Sequence, residues 1–273
     1  MDPKLQRRIQ RYGWDKAATE YEQSWHAQLG PAQSRLLAMA ALRAGERVLD
    51  VACGTGLVTF AAAGAVGPGG LVTGVDLSEG MVAIARAQAA RRGAGHVRFE
   101  RMDAEHLDLP AASFDAAVCA LGLMYVPDAR QAVGEMARVL SPGGRVVAAV
   151  WGHRSRCGWA DLFPIVDAQV RSEVCPLFFA LGTADCLAAV FEDAGLSNVI
   201  AERLQTPLYW ASAEEACGAA FVAGPVALAY SRFDEPTRRA VREEYLASIE
   251  PWSEGTGYAV PGEFVIVAGV KPA

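Results

Sequence analysis

The chain has 273 residues, 52% of them hydrophobic and 21% charged, and carries a formal net charge of −6. That balance excludes a disordered chain, and the excess of acid argues against a nucleic-acid surface, which needs clustered lysine and arginine. The longest apolar runs, such as residues 116–126, stop short of the roughly 20 residues a membrane helix needs.

Apolar and aromatic residues at helical spacing (Ile9, Tyr12, Trp14, Ala17, Ala18, Tyr21, Trp25) predict a first helix over residues 5–29. Leu36, Leu37, Met39, Ala40 and Leu42 mark a second over 31–41, closed by Gly45. A short apolar strand over 47–52, interrupted by Asp50, turns through Gly54-Thr55-Gly56 into a helix over 55–65. After the turn at residues 67–70 come a strand over 71–76, a helix over 78–92 with Ser78 as its N-cap, and a strand over 97–101. A fourth strand over 114–121 leads to a helix over 128–139, and the turn Ser141-Pro142-Gly143-Gly144 opens a fifth strand over 145–151. Beyond Trp151 the rhythm changes. Helical patterns cover 158–174 and 183–194, a strand 198–209, two or three helices 212–249 and a last strand 262–270.

Apolar strands that alternate with helices predict a parallel sheet covered on both faces. The expected fold is α/β: a Rossmann-like, doubly wound, mostly parallel seven-stranded sheet with helical insertions after strands five and six. The expected organisation is a single domain over 1–273. It comprises an N-terminal helical segment (1–45), a ligand-binding core (46–151) and substrate-cap insertions (152–182 and 211–256). The charged start over residues 1–11 shows no apolar leader pattern, so a cytoplasmic location is expected. Cys53, Cys119, Cys157, Cys175, Cys186 and Cys217 include no C-x-x-C pair and no metal-ligand spacing. Reduced thiols and no metal site are expected; Cys157 and Cys175, in the expected cap, retain a functional option.

The turn after the first strand is the most informative segment. Glycines there let the backbone take positive φ and approach a ligand, which in open α/β sheets lies at the carboxyl ends of the strands. Asp76 ends the second strand about 20 residues after the glycines, where a carboxylate accepts hydrogen bonds from a ribose diol. The third glycine of a dinucleotide turn would be residue 59, and it is Thr59. Asp50 before the turn would repel a diphosphate but suits the cationic amino-acid end of S-adenosylmethionine. Asp103, after the third strand, is placed to reach an adenine amino group.

Five pieces in order extend this pattern: Val48-Leu49-Asp50-Val51-Ala52-Cys53-Gly54-Thr55-Gly56, Gly74-Val75-Asp76-Leu77-Ser78, Met102-Asp103-Ala104-Glu105-His106-Leu107, Phe114-Asp115, and Ala137-Arg138-Val139-Leu140-Ser141-Pro142-Gly143-Gly144. Together they resemble the class I S-adenosylmethionine-dependent methyltransferases, of the branch that includes the ubiquinone/menaquinone-biosynthesis C-methyltransferases. The likeness covers residues 10–151 well and the rest weakly. It implies that Asp50, Cys53, Gly54, Thr55 and Gly56 surround the methionine end of the cofactor. Asp76 would take the ribose, Leu77 and Met81 the adenine faces, and Asp103 and Ala104 the adenine edge. Ala120 or Leu121 would sit near the cofactor amino group, and Trp14 and Tyr21 would close over it.

Methyl transfer from a sulfonium needs chiefly alignment and water exclusion. A general base is required only if the acceptor must lose a proton, and the sequence shows no fixed catalytic constellation. By position, His153 after the fifth strand and Tyr125 after the fourth are the catalytic candidates, with His26 behind them and His96 and His106 read as loop residues. Trp159, Phe163, Phe178, Phe179, Tyr209, Trp210, Phe221 and Tyr230 would supply an apolar acceptor pocket, so the expected partner is a small apolar or aromatic molecule. The alternatives are a cofactor-binding protein with lost or redirected activity, and an NAD-dependent oxidoreductase. An RNA or protein methyltransferase is disfavoured: Ala120-Leu121-Gly122-Leu123 stands where amine methylation calls for Asn/Asp-Pro-Pro-aromatic.

Overall fold

The computed structural model describes residues 2–170 and 175–273. Its strands are β1 (Arg47–Val51), β2 (Leu71–Asp76), β3 (Val97–Arg101), β4 (Phe114–Ala120), β5 (Leu140–Trp151), β6 (Ser197–Trp210), β7 (Ser253–Glu254) and β8 (Gly257–Val270). They form one sheet in the order β3-β2-β1-β4-β5-β8-β6, with β7 on β8. The first five strands pair in parallel, and β8 runs antiparallel to both β5 and β6. Val48 lies in register with Val72 on one side and Ala116 on the other. Val48, Leu49 and Val51 are fully buried, as are Val146 to Val150 on β5, so the middle of the sheet is covered on both faces. The strand order reverses at β1 and β4, which opens a crevice beyond their carboxyl ends.

The helices are α1 (Pro3–Ala40), α2 (Leu57–Val66), α3 (Glu79–Arg92), α4 (Ala129–Val139), α5 (Leu162–Asp167), α6 (Cys186–Asp193), α7 (Ala213–Cys217), α8 (Ala227–Tyr230) and α9 (Glu235–Ile249). α3 shows how local chemistry sets its ends. The Ser78 hydroxyl accepts the Met81 N–H at 3.1 Å, Arg91 and Arg92 face the negative helix end, and Gly93 closes it at φ 62°. None of the helices among the described residues is long and apolar enough to cross a membrane.

The structure departs from the sequence expectations in five places. The two N-terminal helices are one 38-residue helix with Pro31 inside it. Pro31 forfeits its bond to the Ala27 carbonyl, a cost of about 3 kcal/mol. Trp25, Leu29, Ala32, Leu36 and Ala40 form one continuous buried face across the proline, and that burial outweighs the break. The sheet has eight strands because Ser253–Glu254 adds a short ribbon to β8. The expected turn at residues 141–144 lies inside β5, where the register against β4 shifts and Gly143 takes φ 78°. β6 and β8 pair from Tyr258–Trp210 to Val270–Ser197, with a register shift between Ser197 and Ile200, so the last strand begins at Gly257 rather than residue 262. Of the expected helix over 158–174, only Leu162–Asp167 is helical among the described residues, and 171–174 lie outside them.

Candidate functional site

The crevice is built from two tight turns. After β1, Ala52, Gly54 and Gly56 take positive φ (55°, 56° and 95°); after β4, Leu121 does so at 64°. For Ala52 and Leu121 this left-handed conformation costs roughly 1–2 kcal/mol each, and such strain concentrates at ligand sites. The turns also press on each other: a Cβ on Gly122 would lie 2.3 Å from the Ala52 Cβ. A Cβ on Gly56 would lie 2.8 Å from Phe60 Cε2 and 2.9 Å from Phe99 Cζ. Only glycine permits this approach of loop to sheet.

Asp76, at the end of β2, ties the turns together. Its carboxylate oxygens accept the Gly54 N–H at 2.9 Å and the Ser78 N–H at 2.8 Å. Burial raises its pKa, against the pull of those backbone bonds. Asp50 is 1% exposed and sits behind the turn, where the Thr59 hydroxyl donates to it at 2.6 Å. Burial pushes the Asp50 carboxyl up to about 7. Thr59 at the third-glycine position therefore holds an acid in place. Burial, then Asp76 and Asp50, also push the Cys53 thiol up, as expected of a packing sulfur.

α1 crosses the crevice as a strap. Asp15 accepts the Ser78 hydroxyl at 2.6 Å and the Gly80 N–H at 3.0 Å, and Gln88 donates to Glu22 at 2.6 Å, which pins α1 to α3. Near its start, Arg7 bonds Glu105 at 2.5 Å and pairs with Asp103 at 3.2 Å. Glu105 accepts the Asp128 N–H at 3.0 Å, so the β3 and β4 loops are joined through it. The Trp14 ring meets Tyr21 at 5.6 Å and Tyr125 at 5.1 Å, both edge-on.

These elements enclose a first compartment of about 780 Å³. Of the residues singled out from sequence, Trp14, Tyr21, Gly54, Asp76, Leu77, Met81, Asp103, Ala104, Ala120, Leu121 and Tyr125 line it. Asp50, Cys53, Thr55 and Gly56 stand behind the turn and do not. Thr55 is buried there, and its hydroxyl has no partner among the described residues. Arg7, Gln10, Met102, Glu105 and Gly122 line the compartment without having been picked out. A signal for the first two existed: residues 7, 10, 14 and 21 fall on one helical face.

A second compartment of about 470 Å³ adjoins the first and shares Trp14, Tyr21, Leu121 and Tyr125 with it. Its other walls are apolar, with Trp25, Met124, Trp151, Trp159, Leu162, Phe178 and Tyr245 prominent. Of the aromatic residues expected around an acceptor, Trp159 and Phe178 line it. Phe163 and Phe179 pack on the Phe178 ring at 4.6 and 4.8 Å. Trp210 packs against Trp25 at 6.5 Å, Phe221 stacks on Tyr230 at 4.9 Å, and Tyr209 is 61% exposed. Trp25, Trp151 and Tyr245 were not foreseen; they come from α1, β5 and α9, and only the tertiary fold brings them together.

The two catalytic candidates are placed differently. Tyr125 stands on the wall between the compartments, and burial holds its phenol well above its ordinary pKa. His153 is exposed, caps a short turn by accepting the Ser155 N–H, and lines neither compartment. His26 is exposed on α1. Cys175 receives a weak bond from Gln10 at 3.6 Å, while burial pushes the Cys157 and Cys175 thiols up to about 12.

Comparison with known proteins bears on this arrangement. Residues 48–144 match a family model described as a methyltransferase domain. Nocamycin O-methyltransferase of Saccharothrix syringae is 38% identical over 133 residues, 49% of this chain and 48% of that protein. The demethylmenaquinone methyltransferase of Bacillus cytotoxicus is 31% identical over 176 residues, 58% of this chain and 73% of that protein. The chain spans about half the length of the first curated relatives it matches. Among solved structures, Haemonchus contortus phosphoethanolamine N-methyltransferase 2 in complex with S-adenosyl-L-methionine superposes with a TM-score of 0.62 at 17% identity, covering 95% of this chain and 57% of that one, which establishes a common fold.

Proposed function

The chain belongs to the class I S-adenosylmethionine-dependent methyltransferases, and from that premise we propose that it transfers a methyl group to a small apolar or aromatic acceptor. One observation carries the reading. Two compartments share a single wall, one with carboxylates at strand ends and the other ringed by aromatic side chains.

The first compartment fits the cofactor. Each Asp76 oxygen uses one lone pair on a backbone N–H and has another for a ribose hydroxyl. Leu77 and Met81 offer apolar packing to a flat base, and Asp103, steadied by Arg7, offers an acceptor at its edge. When bound, S-adenosylmethionine supplies an electrophilic methyl group on a good leaving group. The protein supplies position and dryness: α1 closes the crevice, and Trp14, Tyr21 and Leu121 separate the compartments. Asp50, behind the turn, holds the backbone through Thr59 rather than meeting the ligand.

The second compartment accounts for the acceptor class. Its walls are apolar, and none of the histidines among the described residues lines it. Tyr125 keeps its proton at neutral pH, so it orients a ligand by donating a hydrogen bond and is a poor base. The reading therefore favours acceptors already nucleophilic near neutrality, such as acidic phenols and quinols, over amines and nucleic acid. The six cysteines are all unpaired, in keeping with a cytoplasmic setting.

Transfer of isotopic methyl label from S-adenosylmethionine to a panel of phenols and quinols tests the proposal. Label is expected on at least one member. Tight binding of S-adenosylhomocysteine with no transfer to any of them would overturn the acceptor assignment.

A further inference from the structure

We propose that the indole N–H of Trp159 is the specificity-determining donor of the second compartment, and that it selects acceptors carrying a carbonyl or phenolic oxygen on an otherwise apolar framework. This rests on reading that compartment as the acceptor site. Trp159 is 2% exposed and lines the compartment. Its Nε1 is buried without a hydrogen-bond partner among the described residues, and no other side chain lining the compartment has such an orphaned polar atom.

The surroundings explain why the protein does not satisfy it. The Trp159 ring packs against Trp151 at 4.7 Å, Phe178 at 5.5 Å, Phe179 at 5.8 Å, Phe163 at 6.0 Å and Trp25 at 6.4 Å. Phenylalanine offers only hydrocarbon and tryptophan only a further donor. A ring face is a second-order partner for an N–H. Most buried polar groups are hydrogen-bonded, so a buried donor without a partner calls for an explanation. An oxygen entering the compartment that Trp159 lines would supply one.

The donor is also held in place. The preceding Gly158 donates its N–H to the Pro261 carbonyl at 2.9 Å, and a Cβ on Gly158 would meet Trp252 Cη2 at 2.8 Å. The backbone at Trp159 is thus clamped against β8 and its neighbours. A rigid donor in a dry wall discriminates sharply, because a ligand without the oxygen leaves it unpaired while a ligand with one removes that penalty. Trp210 provides the contrast: its Nε1 is likewise buried and unpartnered, but it lines neither compartment.

The probes are 1-tetralone and tetralin, which differ by one carbonyl oxygen, titrated by calorimetry into the protein with S-adenosylhomocysteine present. The wild type is expected to bind tetralone about tenfold more tightly than tetralin, and Trp159→Phe to bind both alike. A readout independent of how the variant folds comes from the six tryptophan indole resonances of the nitrogen-15-labelled wild type. The Trp159 indole proton should move downfield with tetralone and hold its position with tetralin. Equal affinity for both probes, an unmoved indole resonance, or no binding by either probe would overturn the Trp159 assignment. Labelled-methyl transfer tests the methyltransferase reading separately. If it fails while the tetralone preference holds, that reading falls and the donor assignment stands.

Discussion

Asp76→Asn separates structural support from cofactor recognition in one residue. The amide keeps the size of the side chain but turns one of two accepting oxygens into a donor. In the wild type those oxygens take the Gly54 N–H at 2.9 Å and the Ser78 N–H at 2.8 Å, so one backbone donor loses its partner. Leaving a buried N–H unpaired costs about 1–3 kcal/mol. Part of this is recovered, because burial already disfavours the Asp76 charge and the amide has none. A net destabilisation of about 1–2 kcal/mol is expected, a fall in Tm of a few degrees for a domain of this size. Binding should suffer more. Hydrogen bonds to a charged group contribute about 1.5–3 kcal/mol each, so weakening the two ribose bonds should raise the Kd for S-adenosylhomocysteine roughly 30- to 1,000-fold. Calorimetry with parallel thermal melts reads both quantities. An Asp76→Asn protein that melts normally and binds S-adenosylhomocysteine within about threefold of the wild type would refute the reasoning.

Other substitutions probe the remaining parts. Gly56→Ala should lose about 2–4 kcal/mol by denaturant unfolding, because the new methyl meets Phe60 and Phe99 and the backbone stays at φ 95°; Gly134→Ala on α4, where a Cβ would meet nothing within 4 Å, should instead be neutral or stabilising. Asp50, with its pKa raised from 3.8 to about 7, should make stability fall as pH rises. Folded protein holds a proton that the unfolded chain releases between about pH 4 and 7, so the contribution is full below that window and lost through it. Its size is on the order of a few kcal/mol, and Asp50→Asn should flatten the Tm profile in that range. His153→Ala should leave kcat/KM within about twofold, whereas Tyr125→Ala, which opens the wall between the compartments, should lower it at least about tenfold.

The parts of the fold and site legible in the sequence were the local ones. β1 to β4 and their helices appeared at near their true bounds because β1, β2 and β4 are short, mainly apolar runs, β3 alternates apolar and charged residues, and glycines or caps punctuate them. Asp76, Leu77 and Asp103 were legible because they stand at or just after strand ends, where chain order alone places them at the crevice, and Met81 because it lies in the first turn of α3 just beyond. Asp50 stands near the end of β1 by the same logic, yet its carboxylate accepts from Thr59 and does not line the first compartment, because which face of a buried strand a side chain takes is decided by the pleat and by its partners. α1 was read as two helices because the proline signal is local, while the face from Trp25 to Ala40 that overrides it gains its burial from the sheet. The second compartment was legible only as an inventory of aromatic residues. Trp25, Trp151, Trp159, Phe178 and Tyr245 lie far apart in the chain, and none carries a mark that separates lining from core. Tyr209 and Phe221 have the same composition signal and lie elsewhere.

A crystal structure with S-adenosylhomocysteine bound tests the central claim most directly. The account predicts ribose hydroxyls on Asp76, adenine between Leu77, Met81 and Asp103, and the sulfur at the wall formed by Leu121 and Tyr125, facing the aromatic compartment. An adenosine lodged outside the first compartment, or a sulfur turned away from that wall, would contradict it.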